Sequence, residues 1–280
     1  MKSLVLTEKP SVAREIARVL GCTNKQKAYF EGPRHVVTWA LGHLVELAEP
    51  EDYDKKYSTW KLEDLPIIPK NMRLKVIRQT SHQFRAIQTL VKRGDLGDMI
   101  IATDAGREGE LVARWIMELV HWQKPFQRLW ISSQTDQAIR DGFANLKPGR
   151  SYDNLYNSAV CRAEADWLVG LNVTRALTCK FNAQLSAGRV QTPTLSAIVQ
   201  REQEIRKFRP VDYWTVEADF GHFHGICRKE GESRFFDQER AQATRTKVQG
   251  KTGRITNLTT KERRESQPLP YDLTELQRDA

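Results

Sequence analysis

Cysteine is scarce in this chain, and long apolar runs are absent. The 280 residues include four cysteines, Cys22, Cys161, Cys179 and Cys227. None belongs to a C-x-x-C pair and none has a histidine at ligand spacing, which argues against a zinc site and against a disulfide framework. They read as ordinary reduced thiols of a cytoplasmic protein. No apolar run approaches the ~18 residues of a membrane span. Met1-Lys2 leads through one short apolar stretch straight into charge, a pattern unlike a signal peptide. Internal repeats and low-complexity tracts are also missing. Nor is there an acidic excess: Lys and Arg total 44 against 35 Asp and Glu, for a formal charge of +9 and a pI near 9.4. Such a balance suits a polyanion partner, although a merely basic soluble protein carries it equally well.

An apolar fraction of 40% supports a real core, and the length predicts about two domains at roughly 150 residues each. Ser3–Thr7 reads as a short strand. Pro10 then opens a helix whose stripe Val12, Ile16, Val19, Leu20 ends at Gly21. Strands are expected over His35–Leu41, Met99–Ala102 and Arg128–Ser132, with helices over Ser81–Lys92 and Asp136–Leu146. Strands alternating with helices predict an α/β fold with a mostly parallel, doubly wound sheet. Pro148-Gly149 marks a boundary. From Asn154 to about Ile205 the pattern is helical, interrupted by a polar loop, Ser186–Thr194, before a second helix over Leu195–Ile205. Beyond Pro210 the texture becomes polar, charged and strand-like, through residue 266.

The stretch with most chemical content is Thr103-Asp104-Ala105-Gly106-Arg107-Glu108-Gly109-Glu110. It follows an apolar strand and opens a helix, which puts carboxylates at the carboxyl edge of a sheet, where open α/β folds bind ligands. Glu8, followed by Lys9, ends another short strand. Hard oxygen donors grouped on such an edge favour Mg²⁺, which usually takes one or two carboxylates and keeps several waters. Taken singly, these residues also have plain structural readings. Glu8 suits a helix N-terminus, and Glu108 with Glu110 suits a solvated first-turn pair. Arg162 and Asp166 suit an i, i+4 surface pair, and Trp167 suits a core position.

Glu8-Lys9-Pro10-Ser11, Thr103-Asp104 with Arg107-Glu108-Gly109-Glu110, and Ser186 with Gly188-Arg189-Val190-Gln191-Thr192-Pro193-Thr194 together resemble the type IA DNA topoisomerases, most of all the bacterial topoisomerase III branch. The likeness runs through Ala163–Gly170 to the closing Leu269-Pro270-Tyr271-Asp272-Leu273-Thr274. It implies a TOPRIM-type, Rossmann-like catalytic and metal domain over 1–150, a helical single-stranded-DNA-binding segment over 151–210, and the incomplete start of a β-rich gate arch over 211–280. It also implies Mg²⁺-dependent transient cleavage, strand passage and religation. Catalytic roles fall to Glu8, Lys9 and Arg107: Glu8 as general acid/base at the scissile sugar oxygen, Lys9 as a stabiliser of phosphate charge. Metal ligation falls to Glu8, Asp104 and Glu108, and DNA binding to Arg162, Asp166, Arg189, Gln191 and Thr192. The expected partner is DNA, preferably single-stranded, met by a monomer in the cytoplasm with no membrane involvement.

Two departures qualify the likeness. The family's usual Asp-x-Asp-x-Glu has Gly106 in place of its second aspartate, so metal binding rests on Asp104 and Glu108, helped by Glu8 or Glu110, and a strict two-metal arrangement is not expected. The family's nucleophilic tyrosine sits in a Tyr-Pro/Ser-Arg-Thr-Asp-like context, and none of the seven tyrosines here does. The chain is therefore expected to be the amino-terminal part of such an enzyme, without its nucleophile. The alternatives are a truncated TOPRIM protein that only holds single strands and a TOPRIM nuclease or primase-like enzyme; the loop Ser186–Thr194 argues against the last.

Overall fold

Leu4, Val5 and Leu6 are apolar at consecutive positions, as a strand covered on both faces must be. In the computed structural model of the protein they are fully buried in a seven-stranded sheet. The structure describes residues 1–268, 270, 271 and 276; Leu269, Asp272, Leu273 and Thr274 of the closing resemblance lie outside the described residues. The chain divides into two compact units, Met1–Glu202 and Gln203–Ala280.

The first unit runs β1 (Lys2–Thr7), α1 (Pro10–Val19), β2 (Asn24–Lys25), β3 (Tyr29–Glu31), β4 (His35–Trp39), β5 (Val45–Leu47), α2 (Pro50–Tyr53), β6 (Leu74–Val76) and α3 (Ser81–Val91). It continues with β7 (Leu96–Ala102), α4 (Arg107–Leu119), β8 (Phe126–Arg128), α5 (Asp136–Ala144), β9 (Lys147–Pro148) and α6 (Asp153–Phe181). The sheet order is β2-β3-β4-β1-β7-β8-β9. Its middle pairings, β4 with β1, β1 with β7 and β7 with β8, are parallel. The flanking pairings of β2, β3 and β9 are antiparallel. β5 and β6 form a separate antiparallel pair.

Alternation along the strands distributes the core between the two faces. Leu4, Leu6, Met99 and Ile101 pack with Ile87 of α3 and with Leu111, Trp115 and Ile116 of α4. Val5, Val37 and Ile100 pack with Ala13 and Ile16 of α1 and Ile139 of α5. The sheet is thus mostly parallel and covered by helices on both faces, as the sequence predicts. α1 starts with Pro10 in its first turn, and the chain leaves it through Gly21 at φ +70°, a left-handed turn that glycine adopts without strain.

Some elements lie elsewhere than the sequence pattern implies. The strand expected over Arg128–Ser132 is Phe126–Arg128, because its partner β7 ends at Ala102 and the register closes with Ile101 opposite Arg128. The helix after the polar loop, α7 (Gln191–Lys207), begins four residues early; the Thr192 N–H already donates to the Gly188 carbonyl. In the second unit, β10 (Glu217–Asp219) pairs with β11 (His224–Ile226), but part of the strand-like stretch is helical, α8 (Gln238–Val248). There Asp237 caps the first turn by accepting from the Arg240 N–H, and the Gln, Glu, Arg and Ala that follow are good helix formers. Among the described residues no helix is long and apolar enough to cross a membrane.

Candidate functional site at the sheet edge

β1 and β7 are parallel neighbours with Thr7 opposite Ala102, so Glu8-Lys9 and Thr103-Asp104 leave the same sheet edge side by side. Lys9 precedes α1 as its N-cap, and its Nζ lies 3.8 Å from Asp104 Oδ2. Glu8 is half-buried, and its carbonyl accepts the Gly42 N–H. Gly106 caps α4 in fully extended conformation, followed by Arg107, exposed at the first helical position, and Glu108.

The turn between β7 and α4 is very tight. A Cβ on Gly109 would fall 2.1 Å from the Asp104 carbonyl oxygen, so only glycine permits this approach. Thr103 Oγ1 donates to the Gly109 carbonyl at 2.8 Å, and the Gly106 N–H donates to the Asp104 carbonyl at 2.9 Å. From the other side the buried Arg128 guanidinium binds the same turn: Nη1 donates to the Thr103 carbonyl at 2.7 Å and Nη2 to the Asp104 carbonyl at 2.6 Å. Nη1 also reaches the carbonyls of Ile101 and Leu129.

Glu110 explains how such a charge is tolerated. It is fully buried, with Oε1 2.6 Å from Arg128 Nε and Oε2 3.1 Å from Arg114 Nε. The first contact is a charge contact more than a directed hydrogen bond, since neither atom finds a well-aligned partner. Burial pulls the Arg128 guanidinium below its ordinary value, while Glu110 opposes the shift. Arg114 continues outward to Asp153 Oδ1 and the Gly149 carbonyl, each at 2.8 Å. Glu110 is therefore neither a solvated first-turn acid nor a helper at the metal: both of its oxygens face arginines inside the protein. Sequence reasoning missed this cluster. Its visible traces were Glu110 and Arg114 at i, i+4 and a lone charge, Arg128, at the end of a short strand beside the apolar Leu129.

A second group of expected residues meets beside the first. Arg162 on α6 places Nη1 3.1 Å from Glu108 Oε1 and Nε 3.7 Å from Asp166 Oδ2. Asp166 Oδ1 in turn lies 2.7 Å from Arg189 Nε. Glycine 188 donates its N–H to Thr192 Oγ1 at 3.0 Å, and Gln191 opens α7, exposed. Trp167 is half-buried, edge-on to Tyr53 and donating its indole N–H to the Ala48 carbonyl, a packed position outside the two core clusters.

Among the described residues no three His, Cys, Asp or Glu side chains gather at metal-ligating distances. Glu8, Asp104 and Glu108 thus do not close into a three-carboxylate cluster. Asp104 and Glu108 are both exposed and each faces a cationic side chain. Two accessible carboxylates with room for water suit a hard divalent ion such as Mg²⁺. Next to Asp104, a cavity of about 250 Å³ opens between α1 and the loop after β8, with Val12, Ile16, Thr103, Ser132 and Ser133 in its wall.

Comparison with known proteins covers the stretches of chain that hold these residues. The Toprim domain family matches residues 3–133, and the family described as DNA topoisomerase matches residues 150–280. The chain is 54% identical over its whole length to the DNA topoisomerase 3 of Bacillus cereus, of which it covers 38%. It is 55% identical, again over its whole length, to those of Shouchella clausii and Bacillus licheniformis, covering 39% of each. It therefore spans little more than a third of the curated relatives it matches. Among solved structures, the full-length topoisomerase I of Thermotoga maritima superposes with a TM-score of 0.61 at 23% identity, over 86% of this chain and 37% of that one; that likeness speaks to the fold.

Proposed function

We propose that the chain, matched by the Toprim domain family over residues 3–133 and by the DNA topoisomerase family over residues 150–280 and 54% identical to a bacterial DNA topoisomerase 3 of which it covers 38%, is the metal- and strand-binding part of a type IA, topoisomerase III-like enzyme. Its substrate is DNA, preferably single-stranded, its metal Mg²⁺, and it acts as a cytoplasmic monomer. Residues 1–150 form the catalytic and metal part, 151–210 the strand-binding part, and 211–280 the start of the gate. The observation that carries this reading is the convergence of Lys9 on Asp104 and of Arg162 on Glu108 at one sheet edge.

Asp104 and Glu108 would hold the cation. When bound, it supplies positive charge to the phosphate undergoing transfer. Lys9 adds a second positive charge there, and Arg107, exposed on the first turn of α4, a third. Glu8 handles the proton: in cleavage the nucleophile's oxygen bonds to phosphorus while the sugar oxygen leaves and takes up a proton, and in rejoining that proton is withdrawn again. Arg189, Gln191 and Thr192 hold the strand by its backbone. Arg189 offers a planar fork of donors for phosphate.

No tyrosine of this chain stands in the family's nucleophile context. The chain itself should therefore bind single strands without forming a covalent adduct. Fluorescence anisotropy with a labelled oligonucleotide across a salt series, beside a denaturing gel, tests both statements. Binding should weaken steeply with salt, and Arg189→Ala should reduce the slope by about one phosphate contact. Salt-insensitive binding would remove the strand-binding reading, and a Mg²⁺-dependent adduct would reveal a nucleophile among the tyrosines.

A further inference from the structure

Glu108, Arg162, Asp166 and Arg189 come from three separate parts of the chain, α4, α6 and the loop before α7, yet they form one unbroken series of alternating charges. The links are 3.1, 3.7 and 2.7 Å long. Arg162–Asp166 alone would be an ordinary i, i+4 helix pair. Arg162, however, lies nearer to Glu108 than to Asp166, and Asp166 is closer still to Arg189. The series therefore runs from a carboxylate suited to metal to a guanidinium suited to phosphate.

We propose that this ladder couples the two ligands, so that divalent cation and single-stranded DNA strengthen each other's binding; the inference rests on the functional reading above. A cation on Glu108 and the Arg162 guanidinium compete for the same oxygen, Oε1. A cation bound there turns Arg162 outward to a phosphate. Conversely, a phosphate that draws Arg162 and Arg189 away leaves Glu108 without its counter-charge and more attractive to the cation. All four side chains are between 37% and 54% exposed, so each link is weak and opens at little cost. Coupling of this kind is necessarily reciprocal.

The test is the protein's affinity for a fluorescent oligothymidylate with and without millimolar Mg²⁺ at matched ionic strength. The same pair of measurements on the Asp104→Asn/Glu108→Gln double variant reports only the cation's competition for phosphate in solution. The ratio of affinities with and without Mg²⁺ should be about three- to fivefold higher for the native protein than for the double variant, the scale of exposed ion pairs. Arg162→Gln should bring it down to the double variant's value, and Asp166→Asn, which cuts the ladder at its middle, should lower it too. All four residues are at the surface, so these variants retain the core. Equal ratios in native protein and double variant overturn the coupling while leaving the functional reading in place. An oligonucleotide that does not bind under any condition overturns both.

Discussion

Glu110→Gln separates a structural role from a metal role more sharply than any other single change. The carboxylate is fully buried between Arg128 and Arg114. The amide keeps an oxygen for one arginine but removes the negative charge that compensates Arg128, itself fully buried. Breaking a buried pair in this way costs about 3–5 kcal/mol. The lower end applies here, because Arg128 keeps its four backbone carbonyl acceptors. A loss of about 3 kcal/mol corresponds to a fall in Tm of roughly 6–12 °C for a unit of this size. Scanning calorimetry measures that fall, and Mn²⁺ binding followed by electron paramagnetic resonance measures the metal. At temperatures where the variant is still folded, its Mn²⁺ affinity should stay within about twofold of the parent's, since a ligand lost would cost far more. A melting point unchanged within about 2 °C, or lost Mn²⁺ affinity with stability intact, would refute the assignment of Glu110 to the interior.

Gly106→Asp should fold normally and raise divalent affinity several-fold in the same Mn²⁺ titration. A Cβ there meets nothing within 4 Å, the backbone is extended at φ −176°, and the new carboxylate lies between Asp104 and Glu108 in sequence. Acid sensitivity should trace in part to Glu31, which Arg93 and then Lys2 hold down to a pKa of about 2 from 4.5. Its contribution is fully present above pH 4.5 and is lost as pH falls towards 2. Urea titrations between those limits should show Glu31→Gln losing about 2 kcal/mol of the parent's pH dependence.

The sheet and its helices were legible because the core alternates in period and the helix starts carry proline, glycine and capping residues. Glu8, Lys9 and Asp104 were legible as a sheet-edge group because each comes within two residues of the end of an apolar strand, and Glu108 because it sits on the first turn of the helix that the second strand opens. Arg162, Asp166 and Arg189 had to be carried over from the family, since α6 presents its charges in pairs that look like any solvated face. The interior cluster of Glu110, Arg114 and Arg128 escaped because burial of a charge is a tertiary fact. Locally only Arg114, four residues on, sets Glu110 apart from Glu108, and such a spacing is equally common on a solvated helix face. Part of the stretch after Pro210 was misjudged as strand because α8 has little apolar stripe, only Ala241 being buried.

The position of β1 also dictates an order of events during folding. It is the first strand in the chain, yet it sits between β4 and β7, and its backbone is paired along both edges only when both neighbours are in place. Pairings between such distant segments form slowly, and an unpaired apolar strand is exposed to misassociation while it waits. Lys9 and Asp104 meet only through the last of these pairings, β1 with β7. On the ribosome Lys9 and Asp104 are thus brought together only after β7 has emerged and docked.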